Sequence, residues 1–469
     1  MAEKTPAEVL GEQLLIHKEH AAVRCTDEQL AAADAFCEGY KSYLDTSKTE
    51  REAVTTTIAL AEAAGFTAFD KSKTYQPGDK VYFNNHGKSI CLAVIGRQGT
   101  KNGVKIAAAH IDSPRLDLKP IPLYEANELA LLKTHYYGGV KKYQWTALPL
   151  AMHGVVSKAD GTCVEVKIGE DDQPGDPKFC VTDLLPHLAQ EQMTKTLAAG
   201  IAGEDLNILI GSRPVCREKG ENRFKLNVLK ALNEKYGMVE GDLMSAEIEF
   251  VPSAKAADIG FDRSLIGSYG HDDRVCAYPS VMAALDCGTP ESTVVVVLAD
   301  KEEIGSVGNT GLNSNFLCDF IEDLADLDGM AVRDVMRRSE CLSADVCAAY
   351  DPTYASAYEA NNSCYVNYGV GVMKYTGSRG KGGSNDASAE YTGKVRRLFD
   401  KNNVQWQIGE LGRIDLGGGG TVALYISGLG ADVIDVGVPV LSMHAPYEVV
   451  AKTDVYMLYL GIKAFFEEA

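Results

Sequence analysis

The chain has 469 residues, of which 45% are hydrophobic, and a formal net charge of -19 at pH 7. This composition indicates a globular protein with room for a large core and a second, smaller domain. The negative charge argues against nucleic acid and anionic membranes as partners, because both attract basic surfaces. We expect a cytoplasmic protein, since no apolar run is long enough to span a membrane and the N-terminus lacks a signal-peptide pattern.

The first hundred residues predict helices followed by a β-hairpin. A helix is expected after Thr26, which can form a capping box with Gln29 at the start of a stretch with helical apolar spacing. Two strand-like runs, 80–83 and 89–95, flank a turn sequence of asparagine, histidine and glycine. This arrangement predicts two antiparallel strands.

The pattern of predicted strands and helices changes twice after the hairpin. A buried-type strand ends near residue 110, and from 119 to 255 short alternating strands are separated by Gly, Pro and Asp clusters. Strands that alternate with helices then resume up to the C-terminus. The predicted organisation is therefore one α/β domain in two parts, 1–118 and 256–469, interrupted by an inserted β-rich domain at 119–255.

An unbroken run of β-branched residues leads from Ser292 toward Glu302 and Glu303. Such a run is typical of a central strand covered on both faces, and ligands bind beyond the carboxyl ends of such strands. Two adjacent carboxylates at that place raise each other's pKa unless a cation lies beside them. A divalent metal site is therefore the first hypothesis.

Five segments share one property, because each puts His, Asp or Glu at or just past the end of an apolar stretch. The residues concerned are His110 with Asp112, His271 with Asp272 and Asp273, Glu302 with Glu303, Asp345, and His444. Imidazole and carboxylate are the ligands of zinc and its first-row neighbours, so cobalt and manganese stay open as alternatives.

Chemistry assigns further roles within this set. Two metals would need a bridging carboxylate, for which Asp272 and Asp273 are both candidates. Asp112 is expected to accept the second ring N–H of His110 and so to fix the tautomer of that histidine. One glutamate of the Glu302–Glu303 pair would bind metal, and the other would be free to move a proton from an activated water to a leaving amine.

Each of these residues, taken alone, also fits an ordinary structural role in a turn or at a helix start. Several independent strand ends with the same chemistry favour a metal site. The ligand set does not choose a reaction, however. Another two-metal hydrolase, such as a deacylase or phosphoesterase, and a non-catalytic, metal-stabilised binding protein therefore stay open.

The same segments resemble, in order and over nearly the whole chain, the motifs of the M18 zinc aminopeptidases. The matching segments are Ala-His110-Ile-Asp112-Ser-Pro, Asp272-Asp273-Arg274, Glu302-Glu303-Ile-Gly-Ser, Ser-Ala-Asp345 and Ser-Met-His444. The resemblance implies two divalent metal ions per subunit, with zinc as the family's metal, and removal of the N-terminal residue from peptides with a free N-terminus. It implies Glu302 as general base, Asp272 as the bridge, and as metal ligands His110, Asp272, Glu303, Asp345 and His444.

The family resemblance also implies a fold and an assembly. The expected fold is α/β, with a mixed, largely parallel sheet sandwiched by helices and an inserted β-rich domain that mediates dimer contacts. The expected assembly is a tetrahedral dodecamer built from dimers.

Three further positions concern the substrate. Lys374 resembles a family lysine near the substrate, although a surface lysine fits it equally well, and His187 lies near where the family sends a histidine toward a neighbouring active site. The family's aspartyl aminopeptidases carry a substrate-contacting histidine where this chain has Ala348. The resemblance therefore leaves the preferred N-terminal residue open.

Overall fold

The computed structural model describes residues 4–16, 18–170 and 175–468. The α-helices of these residues are α1 (Pro6–Leu14), α2 (Ala21–Arg24), α3 (Asp27–Thr46), α4 (Glu50–Ala63), α5 (Gln190–Thr194), α6 (Leu197–Gly200), α7 (Arg223–Tyr236), α8 (His271–Leu285), α9 (Phe316–Leu327), α10 (Val332–Met336), α11 (Ala389–Lys401), α12 (Ala423–Gly428) and α13 (Lys452–Glu467). None of the helices in these described ranges combines the length and apolarity that a membrane crossing requires.

The strands of the described ranges form two large sheets and two small ones. They are β1 (Thr67–Ala68), β2 (Lys80–Asn85), β3 (Ser89–Val94), β4 (Lys105–His110), β5 (Arg115–Ala126), β6 (Leu129–Tyr137), β7 (Leu150–Ser157), β8 (Cys163–Ile168), β9 (Cys180–Val181), β10 (Ile208–Gly211), β11 (Ala246–Pro252), β12 (Ala257–Ile259), β13 (Leu265–Ser268), β14 (Val294–Ala299), β15 (Glu340–Ala344), β16 (Cys347–Ala348), β17 (Val370–Met373), β18 (Trp406–Ile408), β19 (Asp432–Gly437), β20 (Pro439–Val440) and β21 (Glu448–Ala451).

The larger sheet has nine strands in the order β1-β2-β3-β14-β4-β15-β19-β17-β18. Its four central strands, β14, β4, β15 and β19, run parallel, and β3 and β17 pair antiparallel with their inner neighbours. This mixed, largely parallel sheet confirms the predicted fold class. Every residue of β14 is buried, as its run of β-branched residues predicts.

Helices cover both faces of this sheet. The alternation of side chains along β14 sends Val294, Val296 and Leu298 into a core built with α3, α4, α8, α11 and α13. The intervening Val295 and Val297 enter a second core, which α9, α10 and α12 close. The sheet is therefore sandwiched by helices, and its strand ends are the free surface on which a site can form.

The second large sheet has seven strands in the order β8-β7-β11-β5-β6-β10-β9, and every pairing in it is antiparallel. We call it the second sheet. Its strands lie between Arg115 and Pro252 and enclose a separate hydrophobic core. This β-rich layer agrees with an insertion, whereas the domain boundaries at 119 and 255 stay a prediction.

Two local expectations from the N-terminal region are confirmed. The Thr26 side chain accepts from the backbone N–H of Gln29, and Gln29 reaches back to Thr26, which makes the capping box at the start of α3. Strands β2 and β3 form the expected antiparallel hairpin, with Asn85 opposite Ser89 at its turn.

Candidate metal centre

The segments selected from the sequence meet at the carboxyl edge of the parallel strands. His110 is the last residue of β4, Asp345 directly follows β15, and Glu302 begins a 3-10 turn (Glu302–Ile304) shortly after β14. Because these neighbouring strands run in one direction, their polar ends converge. Asp272 joins them from the first turn of α8, and His444 joins them from the loop between β20 and β21.

Asp272 lies between the two histidines of the cluster. Its Oδ1 is 3.1 Å from Nε2 of His110, and its Oδ2 is 3.2 Å from Nε2 of His444. Each oxygen of one carboxylate thus faces a different imidazole, which is the arrangement of a carboxylate that bridges two metals. The peptide bond between Asp272 and Asp273 is cis.

The remaining predicted ligands complete the surroundings of these two histidines. Oδ1 of Asp345 lies 3.9 Å from Nε2 of His110, and Oε1 of Glu303 lies 3.5 Å from Nε2 of His444. Oε2 of Glu302 lies 3.9 Å from Nε2 of His110. All five predicted ligands and the predicted base are therefore within one cluster.

Two overlapping groups in the described residues have donor atoms close enough to share a metal ion. His110, Asp272 and Glu303 form one group, and His110, Asp273 and Asp345 form the other, with all donor atoms in each group within 4.8 Å of one another. Oδ1 of Asp273 and Oε1 of Glu303 are buried without a hydrogen-bond partner. Buried carboxylate oxygens without a partner are costly, so this cluster fits bound cations.

The raised pKa values of the carboxyl groups in the cluster also favour a bound cation. Burial, together with the charge of Asp272, raises the pKa of Glu303 well above its ordinary value. Burial and the neighbouring Asp273 do the same to the pKa of Asp345, and burial with the charge of Asp112 raises the pKa of Glu302 to about 7. Crowded, buried carboxylates of this kind are stabilised by a divalent cation.

The pKa values of the two histidines are raised as well. Burial opposes protonation of His444, yet the hydrogen bond to Asp272 and the charge of Glu303 raise its pKa to about 10. The pKa of His110 is likewise raised against burial, by Asp112 and Asp272. A positive charge is therefore favoured at both positions, and a metal ion would supply it.

Asp112 contacts His110, Glu302 and Glu303 of the cluster. Nδ1 of His110 lies 3.0 Å from the backbone carbonyl oxygen of Asp112 and 3.4 Å from its carboxylate Oδ1. The carboxylate also accepts the backbone N–H groups of Glu302 and Glu303, at 3.1 Å each. Asp112 was expected to accept this ring N–H; its carbonyl oxygen is the nearer acceptor, and its carboxylate orients the glutamate pair.

Glu448 is a supporting residue that sequence reasoning missed. Its Oε1 accepts the backbone N–H of His444 at 2.7 Å, and its Oε2 accepts the backbone N–H of Asp272 at 3.1 Å. The residue is 1% exposed and is the first of strand β21. Its signal in the sequence is a carboxylate at the beginning of an apolar run, whereas the proposed ligands of the strands lie at or after the ends of such runs.

Lys374 and His187 are the two positions expected near the substrate. Nζ of Lys374 is 3.8 Å from Oδ1 of Asp386, with the lysine side chain 44% exposed. His187 is exposed, and in the described ranges neither residue forms a hydrogen bond or ion pair with the cluster. Ala348 is half-buried in β16. The substrate roles of Lys374 and His187 stay predictions.

Comparison with known proteins identifies the relatives of this arrangement. The family model described as aminopeptidase I zinc metalloprotease (M18) matches residues 43–466. A probable M18 family aminopeptidase 1 of Clostridium acetobutylicum is 48% identical over 460 residues, which cover 96% of this chain and 98% of the relative. The corresponding protein of Thermotoga maritima is 41% identical over 440 residues, which cover 93% and 96% of the two chains.

Solved structures of M18 aminopeptidases are also similar to this chain. The crystal structure of the Thermotoga maritima M18 aminopeptidase has a TM-score of 0.92 at 39% identity and covers 97% of this chain and 100% of that one. Aminopeptidase I of Clostridium acetobutylicum has a TM-score of 0.89 at 44% identity, with coverage of 97% and 100%. The S. cerevisiae mApe1 dodecamer shares the fold at 20% identity, with a TM-score of 0.74 and coverage of 93% and 97%.

Proposed function

The chain belongs to the M18 family of zinc metalloproteases and is a metalloaminopeptidase, and from this premise we propose which residues run the reaction. The proposed metal ligands are His110, Asp272, Glu303, Asp345 and His444. The observation that carries this assignment is the position of Asp272, with one oxygen facing each histidine. Membership of the family sets aside the deacylase, phosphoesterase and binding-protein alternatives.

We propose two zinc ions per subunit. His110, Asp345 and Oδ1 of Asp272 would hold one ion, and His444, Glu303 and Oδ2 of Asp272 would hold the other, in line with the nearest contacts of each histidine. Bound zinc would supply Lewis-acid polarisation of the scissile carbonyl and acidification of water. Cobalt and manganese suit the same ligands, so metal identity is decided by reconstitution.

Glu302 is the proposed general base. It is adjacent to the ligand Glu303, and Oε2 of Glu302 lies 3.9 Å from Nε2 of His110. A pKa of about 7, raised by burial and by Asp112, lets this carboxyl exchange a proton near neutral pH. It would take a proton from the attacking water and return it to the leaving amine, while the surplus negative charge of the cluster would attract the free α-amine of the peptide.

The decisive experiment compares three substrate classes with one enzyme preparation. We expect zinc-loaded enzyme to hydrolyse free aminoacyl anilides and peptides, and to leave the N-acetylated forms and a phosphate ester intact. A chelator should abolish hydrolysis and added zinc should restore it. Equal turnover of free and N-acetylated peptides would contradict an aminopeptidase site.

We propose a homo-oligomer, namely a tetrahedral dodecamer built from dimers through the 119–255 domain. The supporting feature is an exposed apolar segment in this region, since Leu184, Leu188, Met193 and Leu197 are 54%, 68%, 73% and 66% exposed. Contiguous exposed apolar side chains mark interaction surfaces. Sedimentation of wild-type and Leu188→Asp protein would test the assembly.

His187 lies within this segment, so we propose that it reaches the active site of a neighbouring subunit.

We also propose peptides with a free N-terminus as substrates and the cytoplasm as the compartment. All twelve cysteines of the chain are unpaired, which suits a reducing compartment.

Lys374 is proposed to lie near the substrate. Because Ala348 stands where a histidine contacts acidic substrates in related enzymes, an acidic preference is not proposed, and a panel of aminoacyl anilides would define the preferred residue.

A further inference from the structure

The end of one interior strand of the second sheet, β6, touches the metal cluster. Strand β6 ends at Tyr137, and Gly138 and Gly139 follow it. The body of the second sheet packs on its own hydrophobic core. These three residues instead contact the residues that surround Asp272, so a segment far from the ligands in sequence becomes part of their environment.

Tyr137 contacts the cluster through its hydroxyl group. The hydroxyl donates to Oδ2 of Asp112 at 2.8 Å. The same Oδ2 accepts the backbone N–H of Glu303, and Oδ1 accepts that of Glu302. Asp112 is fully buried, and the Tyr137 hydroxyl is the side-chain hydroxyl that reaches it in the described residues.

The two glycines contact the second half of the cluster. The backbone carbonyl oxygen of Gly139 lies 3.0 Å from Nδ1 of His444, so Nδ1–H donates to it and Nε2 is left facing Asp272. A Cβ atom on Gly138 would lie 3.1 Å from Oε2 of Glu303, and one on Gly139 would lie 3.0 Å from Nδ1 of His444. Side chains at these positions would press directly on two proposed ligands.

Tyr137 is held in turn by the junction between the two sheets. The guanidinium carbon of Arg115 lies 3.8 Å from the centre of the Tyr137 ring. Arg115 also pairs with Glu50 of α4, at 3.5 Å, and with Glu249 of β11, at 3.2 Å. Arg115 therefore holds the ring, and its own partners come from α4, which covers the larger sheet, and from the second sheet.

We propose that Tyr137–Gly139 is a positioning segment of the metal centre, with the Tyr137 hydroxyl acting through Asp112 and the Gly139 carbonyl acting through His444. This inference rests on the proposed metal centre and extends it. The packing of the second sheet against the larger sheet and its helices then sets the orientation of Glu302, Glu303 and His444. The second sheet contributes to catalysis within its own subunit, in addition to any contact it makes with other subunits.

The test is the Tyr137→Phe variant, which removes only the hydroxyl and leaves the ring under Arg115. The matched control is Tyr136→Phe, which removes a hydroxyl from the adjacent, exposed side chain. Loss of such an outer contact to metal ligands costs about tenfold to hundredfold in metal affinity or turnover. We expect zinc affinity, measured by chelator competition, and kcat at saturating zinc to fall in this range, with KM unchanged.

A second variant tests the main-chain contact. In Gly139→Ala the new methyl group would displace the His444 ring, so zinc affinity should fall again. Gly200→Ala is its control, because a Cβ there meets only the backbone oxygen of Gln192, at 3.8 Å. We expect both control variants to bind zinc and turn over substrate as the wild type does.

The melting temperature of the metal-free protein separates positioning from general stability. The inference predicts weaker zinc binding in Tyr137→Phe, with no more than the modest fall in metal-free melting temperature that the loss of one buried hydrogen bond causes. Wild-type zinc affinity and kcat in Tyr137→Phe would overturn the inference, and so would a lower melting temperature with unchanged zinc affinity. If the wild-type protein itself bound no zinc, the proposed metal centre would fail first and this inference with it.

Discussion

The buried carboxylate of Glu448 accepts the backbone N–H of His444 at 2.7 Å. Its second oxygen accepts the backbone N–H of Asp272, so one side chain holds the main chain of two proposed ligands that lie far apart in the sequence. Burial and the charge of Asp272 raise the pKa of Glu448 to about 8. A residue outside the proposed ligand set thus holds the main chain of the proposed bridging aspartate and of one histidine.

Glu448→Gln is expected to weaken zinc binding. The amide keeps one acceptor oxygen but turns an NH2 group toward a backbone N–H, so one of the two contacts becomes repulsive. We expect a loss of about tenfold to hundredfold in zinc affinity, measured by chelator competition. Glu467→Gln, at the end of α13, is a control at which zinc affinity should not change.

Glu302→Gln is expected to retain zinc and lose turnover. The variant keeps the shape of the side chain but cannot accept a proton, and general-base catalysis contributes about 100-fold to 10,000-fold. Turnover of an aminoacyl anilide and zinc content by atomic absorption should be measured together. Glu303→Gln should instead lose zinc, so the reverse pattern would show that the two roles are exchanged.

Removal of metal is expected to destabilise the protein as well as to inactivate it. Without a cation, the cluster brings together Asp272, Asp273, Glu302, Glu303 and Asp345 in a buried space. Zinc at a hundred times its dissociation constant should stabilise the folded state by about 2.7 kcal/mol. Thermal unfolding of stripped protein, with zinc, cobalt or manganese restored in turn, would measure this effect and rank the metals. An unchanged melting temperature on zinc addition would contradict a preformed site.

His153 is expected to stabilise the junction of the two sheets most strongly at low pH. Its Nδ1 lies 2.8 Å from Oε1 of Glu52 and its Nε2 lies 3.0 Å from Oε1 of Glu170, so each ring nitrogen faces a carboxylate and the protonated ring is favoured. Burial opposes the charge, but these hydrogen bonds raise the pKa of His153 above its ordinary value. The stabilisation is therefore complete below the unfolded-state pKa of about 6.5 and is lost as the pH rises through the folded-state pKa.

The measurement is the melting temperature of His153→Gln and wild-type protein from pH 6 upward. Breaking a buried charge pair costs about 3 kcal/mol or more, so the variant should melt well below the wild type at pH 6. The difference should narrow as the pH rises. His135→Gln, at an exposed histidine, is the control, and a gap that widened with pH would contradict a charged His153.

The local pattern of the chain was sufficient for much of the site. His110 ends an apolar strand, and Asp345, Glu302 and Glu303 follow one within four residues. Parallel strands necessarily bring such ends to one edge. Asp272 and His444, which lie in a helix start and a loop, belonged to the same set of segments, and the family motifs selected Asp272 rather than Asp273 as the bridge. The alternation of strands with helices and the β-rich stretch that interrupts it were likewise readable from apolar periodicity and turn residues, because both are local properties of the chain. The mixed sheet with helices on both faces was implied by the family resemblance.

Only the tertiary structure decided which groups hold these ligands in place. The contacts of Glu448 with Asp272, of Tyr137 with Asp112 and of Gly139 with His444 join residues between 25 and 305 positions apart. No periodicity signals such contacts, because a hydrogen bond depends on the meeting of two distant backbones rather than on either segment alone. The sequence by itself thus determined the chemistry of the cluster and the sheet edge that carries it, and the folded packing of the second sheet against that edge determined its geometry.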